Sequence, residues 1–392
     1  MAAKILRAGR TGPAMPPDSD LQKAPQCYSD TMSGDSYYKV SRRFLLIGAA
    51  AALNASPVRL PGKVRLGMIG AEGHPGLILD VLPQLPDVQI VAISHENPSA
   101  ADELIRSKPG LTGVHRYTDY RQMLDAERLD VVAVCNNNGE RAAAIIACAN
   151  HRVHVISEKP LAITGPDLEL VRASVTRNGI KLGMLLDMRY EPPYLALREI
   201  VRSGEIGDAV QISSQKSYKL GNRPVWMRQS KTYGSTILWI GIHMIDLMRF
   251  TSGREFTHVS SFMGCVGSPE LGDLQNTTVT GFRLDNGGTA TLHMDYCRPD
   301  TATSHGDDRL RIAGTKGVAE YMAATGVTLM SAKSKPTVLS SLPQGGSVFV
   351  DFLNYVYNGQ PATLPAEDIY RVCEVTLAAN QAAYTGKVIP IA

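Results

Sequence analysis

The chain has 392 residues, which at roughly 100 to 200 residues per domain is enough for two domains and a leader. Apolar residues at 44 %, charged residues at 20 %, 35 Gly and 23 Pro exclude collagen-like, coiled-coil and largely disordered chains. Forty basic against 37 acidic residues leave a net charge of +3, and no basic run is interleaved with aromatics, so nucleic acid is excluded as the main partner.

Residues 1–31 are polar and carry Pro13, Pro16, Pro17 and Pro25; without helical or strand periodicity they are expected to be disordered. Ser41-Arg42-Arg43-Phe44, an Ala-rich apolar stretch to Leu53, and Asn54-Ala55-Ser56 follow the layout of a secretory signal: basic head, short apolar segment, small-residue exit. The apolar run is half the roughly 20 residues that a bilayer span needs, so cleavage is expected rather than a stable membrane span. Arg42-Arg43-Phe44-Leu45 resembles a twin-arginine leader, which implies export to the periplasm or another extracytoplasmic space. An amphipathic N-terminal helix on a cytoplasmic protein is the alternative. Such leaders begin close to the initiator, which makes Met32 a candidate start. Domain limits follow as 1–62 for the leader, 63–186 for the first domain and 187–392 for the second.

Val64 to Ile69 reads as a short apolar strand, Gly70-Ala71-Glu72-Gly73-His74-Pro75-Gly76 as a glycine turn, and an apolar helix is expected from about Leu77. Strand, glycine turn and helix in this order aim backbone N–H groups at a pyrophosphate. The spacing is GxxGxxG, with Glu72 where the usual pattern has Gly. Further strands are expected at Val88 to Ile93, Leu129 to Cys135 and Val153 to Ser157, alternating with helices at Ala100 to Arg106, Tyr120 to Asp125 and Glu140 to Asn150. Such alternation gives a Rossmann-type, doubly wound parallel α/β sheet. Its strand ends, where ligands bind, carry Gly70, Ser94-His95, Asn136-Asn137-Asn138 and Glu158-Lys159-Pro160. After a helix at Tyr194 to Ser203, strands at Val210 to Tyr218, Thr257 to Cys265, Thr277 to Leu284 and Thr289 to Tyr296 are separated by turns such as Asp285-Asn286-Gly287-Gly288. They predict an α+β domain with a large, mostly antiparallel open sheet, closed by helices at Val348 to Tyr357 and Ala366 to Tyr384.

Six cysteines, at 27, 135, 148, 265, 297 and 373, show neither a CxxC pair nor zinc-type spacing. They are expected to be small buried residues, with no metal site; the five beyond the leader leave room for one disulfide.

Glu158-Lys159-Pro160-Leu161 after an apolar strand, then Gly234 through His243 and Asp246, resembles the Gfo/Idh/MocA family of nicotinamide-dependent sugar oxidoreductases. Tyr117-Thr118-Asp119-Tyr120, Arg189-Tyr190-Glu191-Pro192 and Arg311 through Gly317 match too, from about Val64 to the C-terminus. The resemblance implies a cofactor, NAD or NADP, held by Gly70, Gly73, His74, Gly76, His95, Asn136, Asn138, Glu158 and Lys159, and a homo-oligomer. It implies Lys159 beside the nicotinamide and His243 as the proton-transfer histidine, with Arg189, Trp239 and Asp246 toward a small sugar or polyol substrate. A Lys partly desolvated beside a cofactor has a lowered pKa and can take a hydroxyl proton as hydride leaves. Arg189 has Glu191 and Asp187 as alternative partners, and Asp246, three residues after His243, can orient the imidazole or serve structure.

Two departures stand out. Many family dehydrogenases carry an Asp four residues before the histidine, where this chain has Trp239; an indole stacks on a sugar ring but carries no proton. His95 stands where an acid usually grips the adenosine ribose, with Glu96 a possible substitute. Three functions compete: an exported sugar, cyclitol or polyol oxidoreductase with tightly held cofactor, a glycosidase of the same fold that retains NAD, and a non-catalytic binding protein.

Overall fold

The computed structural model describes residues 57–391. The expected disordered segment, the leader with Arg42-Arg43, Met32 and Cys27 lie outside the described residues.

Six parallel strands build the first sheet: β1 Val64–Ile69, β2 Val88–Ser94, β3 His115–Tyr117, β4 Val131–Val134, β5 His154–Ser157 and β6 Leu182–Met184, in the order β3-β2-β1-β4-β5-β6. Alternate residues of one strand enter two different cores. Leu66, Met68, Val131, Ala133 and Ile156 pack on one face, and Ile69, Val132, Val134 and Val155 on the other. A strand buried on both faces reads as a continuous apolar run, and that is why these strands were visible in the sequence. The order reverses between β1 and β4, which opens a crevice at the strand ends.

The helices of this domain are α1 Gly76–Leu79, α2 Pro98–Ser107, α3 Tyr120–Ala126, α4 Asn138–Asn150 and α5 Gly165–Asn178. Helix α4 is started by Asn137, whose Oδ1 accepts the Glu140 N–H while its Nδ2 donates to Glu140 Oε2, a reciprocal cap of the capping-box kind. The helix expected from Leu77 is only four residues long. Pro83 has no N–H to donate, and its ring conflicts with the carbonyl of Leu79, the last helical residue.

Helix α6, Pro192–Arg202, leads into a nine-stranded sheet: β7 Ala209–Lys219, β8 Phe256–Gly264, β9 Thr277–Leu284, β10 Thr289–Arg298, β11 Gly306–Gly314, β12 Gly317–Met322, β13 Gly326–Ser331, β14 Thr337–Val338 and β15 Ile389–Pro390. Its order is β14-β13-β12-β11-β7-β10-β9-β8-β15, antiparallel except between β7 and β10. The β9–β10 turn runs through Gly287 at φ +85°, a conformation open to glycine and costly for other residues. Between β7 and β8 come α7 Ser230–Tyr233, a π-helical turn Ile237–Gly241, and α8 Ile242–Ser252.

Helix α9, Val348–Tyr357, returns to the first sheet. Phe349, Phe352 and Leu353 share a core with Leu66, Met68 and Ile156, and a Cβ on Gly183 would lie 2.6 Å from Phe352 Cδ2. The first core is therefore completed by residues far beyond position 187. Helix α10, Ala366–Thr385, packs on β8. The five described cysteines are free. Cys135, Cys148 and Cys373 are buried, but Cys265 and Cys297 are exposed, which corrects the expectation of burial: β8 has just ended at Cys265, and Cys297 points from the outer face of β10. No helix among the described residues is long and apolar enough to cross a membrane, and no cluster there could hold a metal ion.

Candidate functional site

At the crevice mouth the glycine turn rises from β1. Gly70 (φ +75°) donates its N–H to Ser94 O, and an added Cβ would lie 2.6 Å from the Asn136 backbone. Gly73 (φ +76°) is equally confined, because its Cβ would meet Glu158 Oε1 at 2.6 Å and Trp239 Cη2 at 3.0 Å. Gly76 starts α1, and a Cβ there would approach only Asp80, so close packing does not demand glycine at this position. The Ala71 N–H donates to Glu72 Oε2 at 3.0 Å and the His74 N–H to Glu158 Oε1. Both N–H groups are satisfied by the chain's own carboxylates and are not free for a pyrophosphate. Asn136 Oδ1 is buried in the same crevice with no hydrogen-bond partner, a group that calls for a ligand. These residues fit a nicotinamide dinucleotide.

The loop after β5 is held from beneath by Arg141, which is fully buried on α4. Its Nη1 donates to Asn138 Oδ1 (2.8 Å), Lys159 O (2.9 Å) and Pro160 O (3.0 Å), and its Nη2 to Asn136 O. One guanidinium therefore ties the loop after β4 to the loop after β5. Asn138 is fully buried, with its oxygen on Arg141 and its Nδ2 on Tyr233 O. Expected to touch cofactor, it instead braces the floor of the crevice.

Glu158 and Lys159 have no solvent exposure. Burial alone would raise the Glu158 pKa, but the charges of His74, Lys159 and Arg141 outweigh it and lower it to about 2. His74 Nδ1 lies 2.7 Å from Glu158 Oε1. Burial, reinforced by the Arg141 and Lys216 charges, lowers Lys159 to about 7 in spite of Glu158 and Asp187. Its Nζ donates to Trp239 O at 2.7 Å and sits 3.5 Å from the centre of the Trp239 ring.

Trp239 lies within the π-helical turn that precedes α8, a backbone irregularity frequent at functional sites. The indole stacks on the His74 ring at 5.8 Å between centres, and His74 meets His243 edge-on at 6.3 Å. Trp239 is thus pressed between the glycine turn and Lys159. His243 is nine-tenths buried with Nδ1 unpartnered. Burial first, then the positive charges of Lys159, Lys216 and His74, hold its pKa well below 6.5, so the imidazole is neutral at pH 7. Lys159, His243, Trp239, His74, Glu158 and the glycine turn, far apart in sequence, therefore meet at one place.

Arg189 and Asp246 do not join them. Arg189 Nε and Nη2 grip both Asp246 oxygens at 2.7 and 2.6 Å, and Nη1 reaches Asp368 Oδ2 at 2.9 Å and Thr363 O at 3.3 Å. The expectation that they face substrate is corrected: both are buried in a bidentate ion pair, and the partner of Arg189 is neither Glu191 nor Asp187. Each Asp246 oxygen is thus engaged by Arg189. His95 Nε2 lies 3.6 Å from Glu72 Oε1, too far for a hydrogen bond, while Glu96 is exposed.

Arg141 was missed because an arginine in the first turn of a helix reads as a surface residue. Lys216 and Asp308 were missed as well: they face each other across the β7–β11 register, with Nζ 2.8 Å from Oδ2, and Asp308 Oδ1 is buried and unpartnered. Neither strand position carries a sequence motif.

Residues 64–184 match the family described as oxidoreductase family, NAD-binding Rossmann fold, and residues 194–320 match the GFO/IDH/MocA C-terminal domain. An uncharacterized oxidoreductase of Bacillus subtilis is 27 % identical over 259 residues, spanning 64 % of this chain and 72 % of the relative. Myo-inositol 2-dehydrogenase of Thermotoga maritima is 25 % identical over 260 residues, 65 % of this chain and 74 % of the relative. An oxidoreductase structure from Thermotoga maritima superposes with a TM-score of 0.78 at 29 % identity, covering 84 % of this chain and all of the other. Levoglucosan dehydrogenase in complex with NADH shares the fold, with a TM-score of 0.73 at 19 % identity over 84 % of this chain and 99 % of that one.

Proposed function

Because the chain belongs to the GFO/IDH/MocA family of oxidoreductases and its first domain is of the NAD-binding Rossmann type, we propose that it oxidises a hydroxyl of a sugar, cyclitol or related polyol with NAD or NADP. One observation carries this reading: a fully buried lysine whose pKa lies at about 7, in a crevice that fits the dinucleotide and beside a neutral histidine with a free ring nitrogen. A pKa near the working pH is what a general base needs. The names of relatives, myo-inositol 2-dehydrogenase and levoglucosan dehydrogenase among them, support the substrate class.

The nicotinamide, when bound, accepts the hydride. Lys159 Nζ, in its neutral form, takes the hydroxyl proton. The resulting ammonium is stabilised by the Trp239 carbonyl and ring and by the ionised Glu158. His243 Nδ1 holds the substrate hydroxyl in place. Trp239 keeps water away from Lys159. Glu158 keeps His74 and the glycine turn in position through both His74 nitrogens that it contacts.

The test is a panel of inositols, sugars and polyols with added NAD and NADP, monitored by nucleotide absorbance, together with nucleotide release from denatured protein. Reduction with at least one cyclic polyol supports the reading, and none across the panel with either nucleotide refutes it. A second reading, binding without turnover, is favoured by the indole of Trp239 over Lys159 where related dehydrogenases have an acid. Polyol-dependent thermal stabilisation without nucleotide reduction would select it.

Export is also part of the proposal, supported by Arg42-Arg43 and the short apolar segment. Cofactor would then be loaded before export and retained through a redox-neutral, ping-pong cycle. Strict dependence on freshly added NAD(P), with cofactor lost on dialysis, would contradict this.

A further inference from the structure

We infer that Glu72, the residue that interrupts the glycine pattern, is the acid that grips the adenosine ribose and makes the protein select NAD over NADP. This rests on the reading as an NAD(P)-dependent enzyme. In a dinucleotide fold, a carboxylate about 20 residues beyond the glycine turn, at the end of β2, accepts the ribose 2′-hydroxyl. His95 occupies that position and is no such acceptor. Its Nδ1 accepts the Asn97 N–H at 3.0 Å, so the neutral ring carries its proton on Nε2, which faces Glu72 Oε1 at 3.6 Å.

Glu72 brings the missing carboxylate to the same place from another element. Its N–H donates to Cys135 O at the end of β4, and its Oε2 accepts the Ala71 N–H at 3.0 Å. The side chain thus crosses above β1, from the end of β4 to the end of β2. Oε1 is left beyond hydrogen-bond distance from His95, able to accept a ribose hydroxyl. Glu96, the next residue after His95, is exposed. A 2′-phosphate would bring its charge against the Glu72 carboxylate. On β3 and α3, Arg116 pairs with Asp102 at 2.9 Å and Arg121 with Asp119 at 3.6 Å. The two departures from the usual pattern, Glu for Gly at 72 and His for an acid at 95, therefore compensate each other.

The test uses the purified full chain after removal of copurified nucleotide. Dissociation constants for NAD and NADP are measured by titration calorimetry, alongside KM for each, in the wild type, Glu72→Gln, Glu72→Gly and the double variant Glu72→Gly/His95→Asp. Circular dichroism checks that each is folded. Wild type should bind NAD about 10-fold or more tightly over NADP, the usual effect of a hydrogen bond to a charged group. Glu72→Gln and Glu72→Gly should abolish most of that ratio, and the double variant, which restores the common arrangement, should regain it. An NADP-preferring wild type, or an unchanged ratio in Glu72→Gln, overturns the assignment while leaving the enzyme reading intact. Binding of neither nucleotide to wild type overturns both.

Discussion

Two buried ionic clusters draw on α8, one through Asp246 and one through His243, and they differ in how completely their valences are met. Around Arg189, all three guanidinium nitrogens have acceptors, and both Asp246 oxygens have donors. Burial opposes the Arg189 charge, but the Asp246 and Asp368 carboxylates outweigh it and raise the pKa. Around Lys159, the ammonium has one carbonyl and a ring, and the nearby His243 Nδ1 and Asn136 Oδ1 have no partner. Complete pairing produces a rigid joint with nothing left to offer a ligand. Incomplete pairing in the same low-dielectric interior leaves groups with displaced pKa values and open hydrogen bonds, the marks of a chemical site.

The largest effect that this contrast predicts is on stability. Arg189→Met strands a buried Asp246 and should cost about 3–5 kcal/mol, read by denaturant unfolding. Turnover per folded molecule should stay near wild type, and a stable variant would contradict the role of the pair. Lys159→Met should do the reverse. It should lower kcat by about 100-fold or more, with nucleotide still bound, and should cost less stability than Arg189→Met, because buried Glu158 keeps His74 and Arg141 beside it. Near wild-type turnover would return Lys159 to a packing role.

The next effect is in pH. Lys159 with a pKa of about 7 is neutral above that value, so kcat/KM for oxidation should rise about 10-fold per unit below pH 7 and level off above it. The same shift acts on stability with a definite sign. Between pH 7 and the ordinary lysine range the unfolded chain binds more protons, so stability should rise with pH over that window. Both slopes should vanish in Lys159→Met. The smallest effect expected is at His243: His243→Gln keeps a hydrogen-bonding side chain and should lower kcat by about 10-fold, less than the loss of the base. Equal losses at both positions would mean that the two act as one unit.

Much of the fold was legible because burial on both faces writes itself as apolar runs, as in β1 and β4, whereas the helix starts at Asn137 and Thr164 carry caps that apolar periodicity does not show. Strands β11 to β13 escaped notice because only every second residue is buried and the alternation is broken by Gly314, Gly317 and Gly326. The shortness of α1 follows from Pro83. In the site, Lys159 and His243 could be picked out by chemical type and motif. The pairing of Arg189 with Asp246 could not, since 57 positions separate them and a bidentate joint leaves no local pattern. The burial of Arg141 was not legible because the carbonyls that surround it come from the loops after β4 and β5.

The central claim is that Lys159 loses its proton near neutral pH within an intact protein. It is tested most directly by carbon-13 NMR of lysine labelled at Cε, titrated with pH, with Lys159→Met identifying the resonance. A single lysine titrating near pH 7, absent from the variant, is the expected result. Titration of Lys159 in the ordinary lysine range, near 10.4, would contradict its assignment as the proton acceptor.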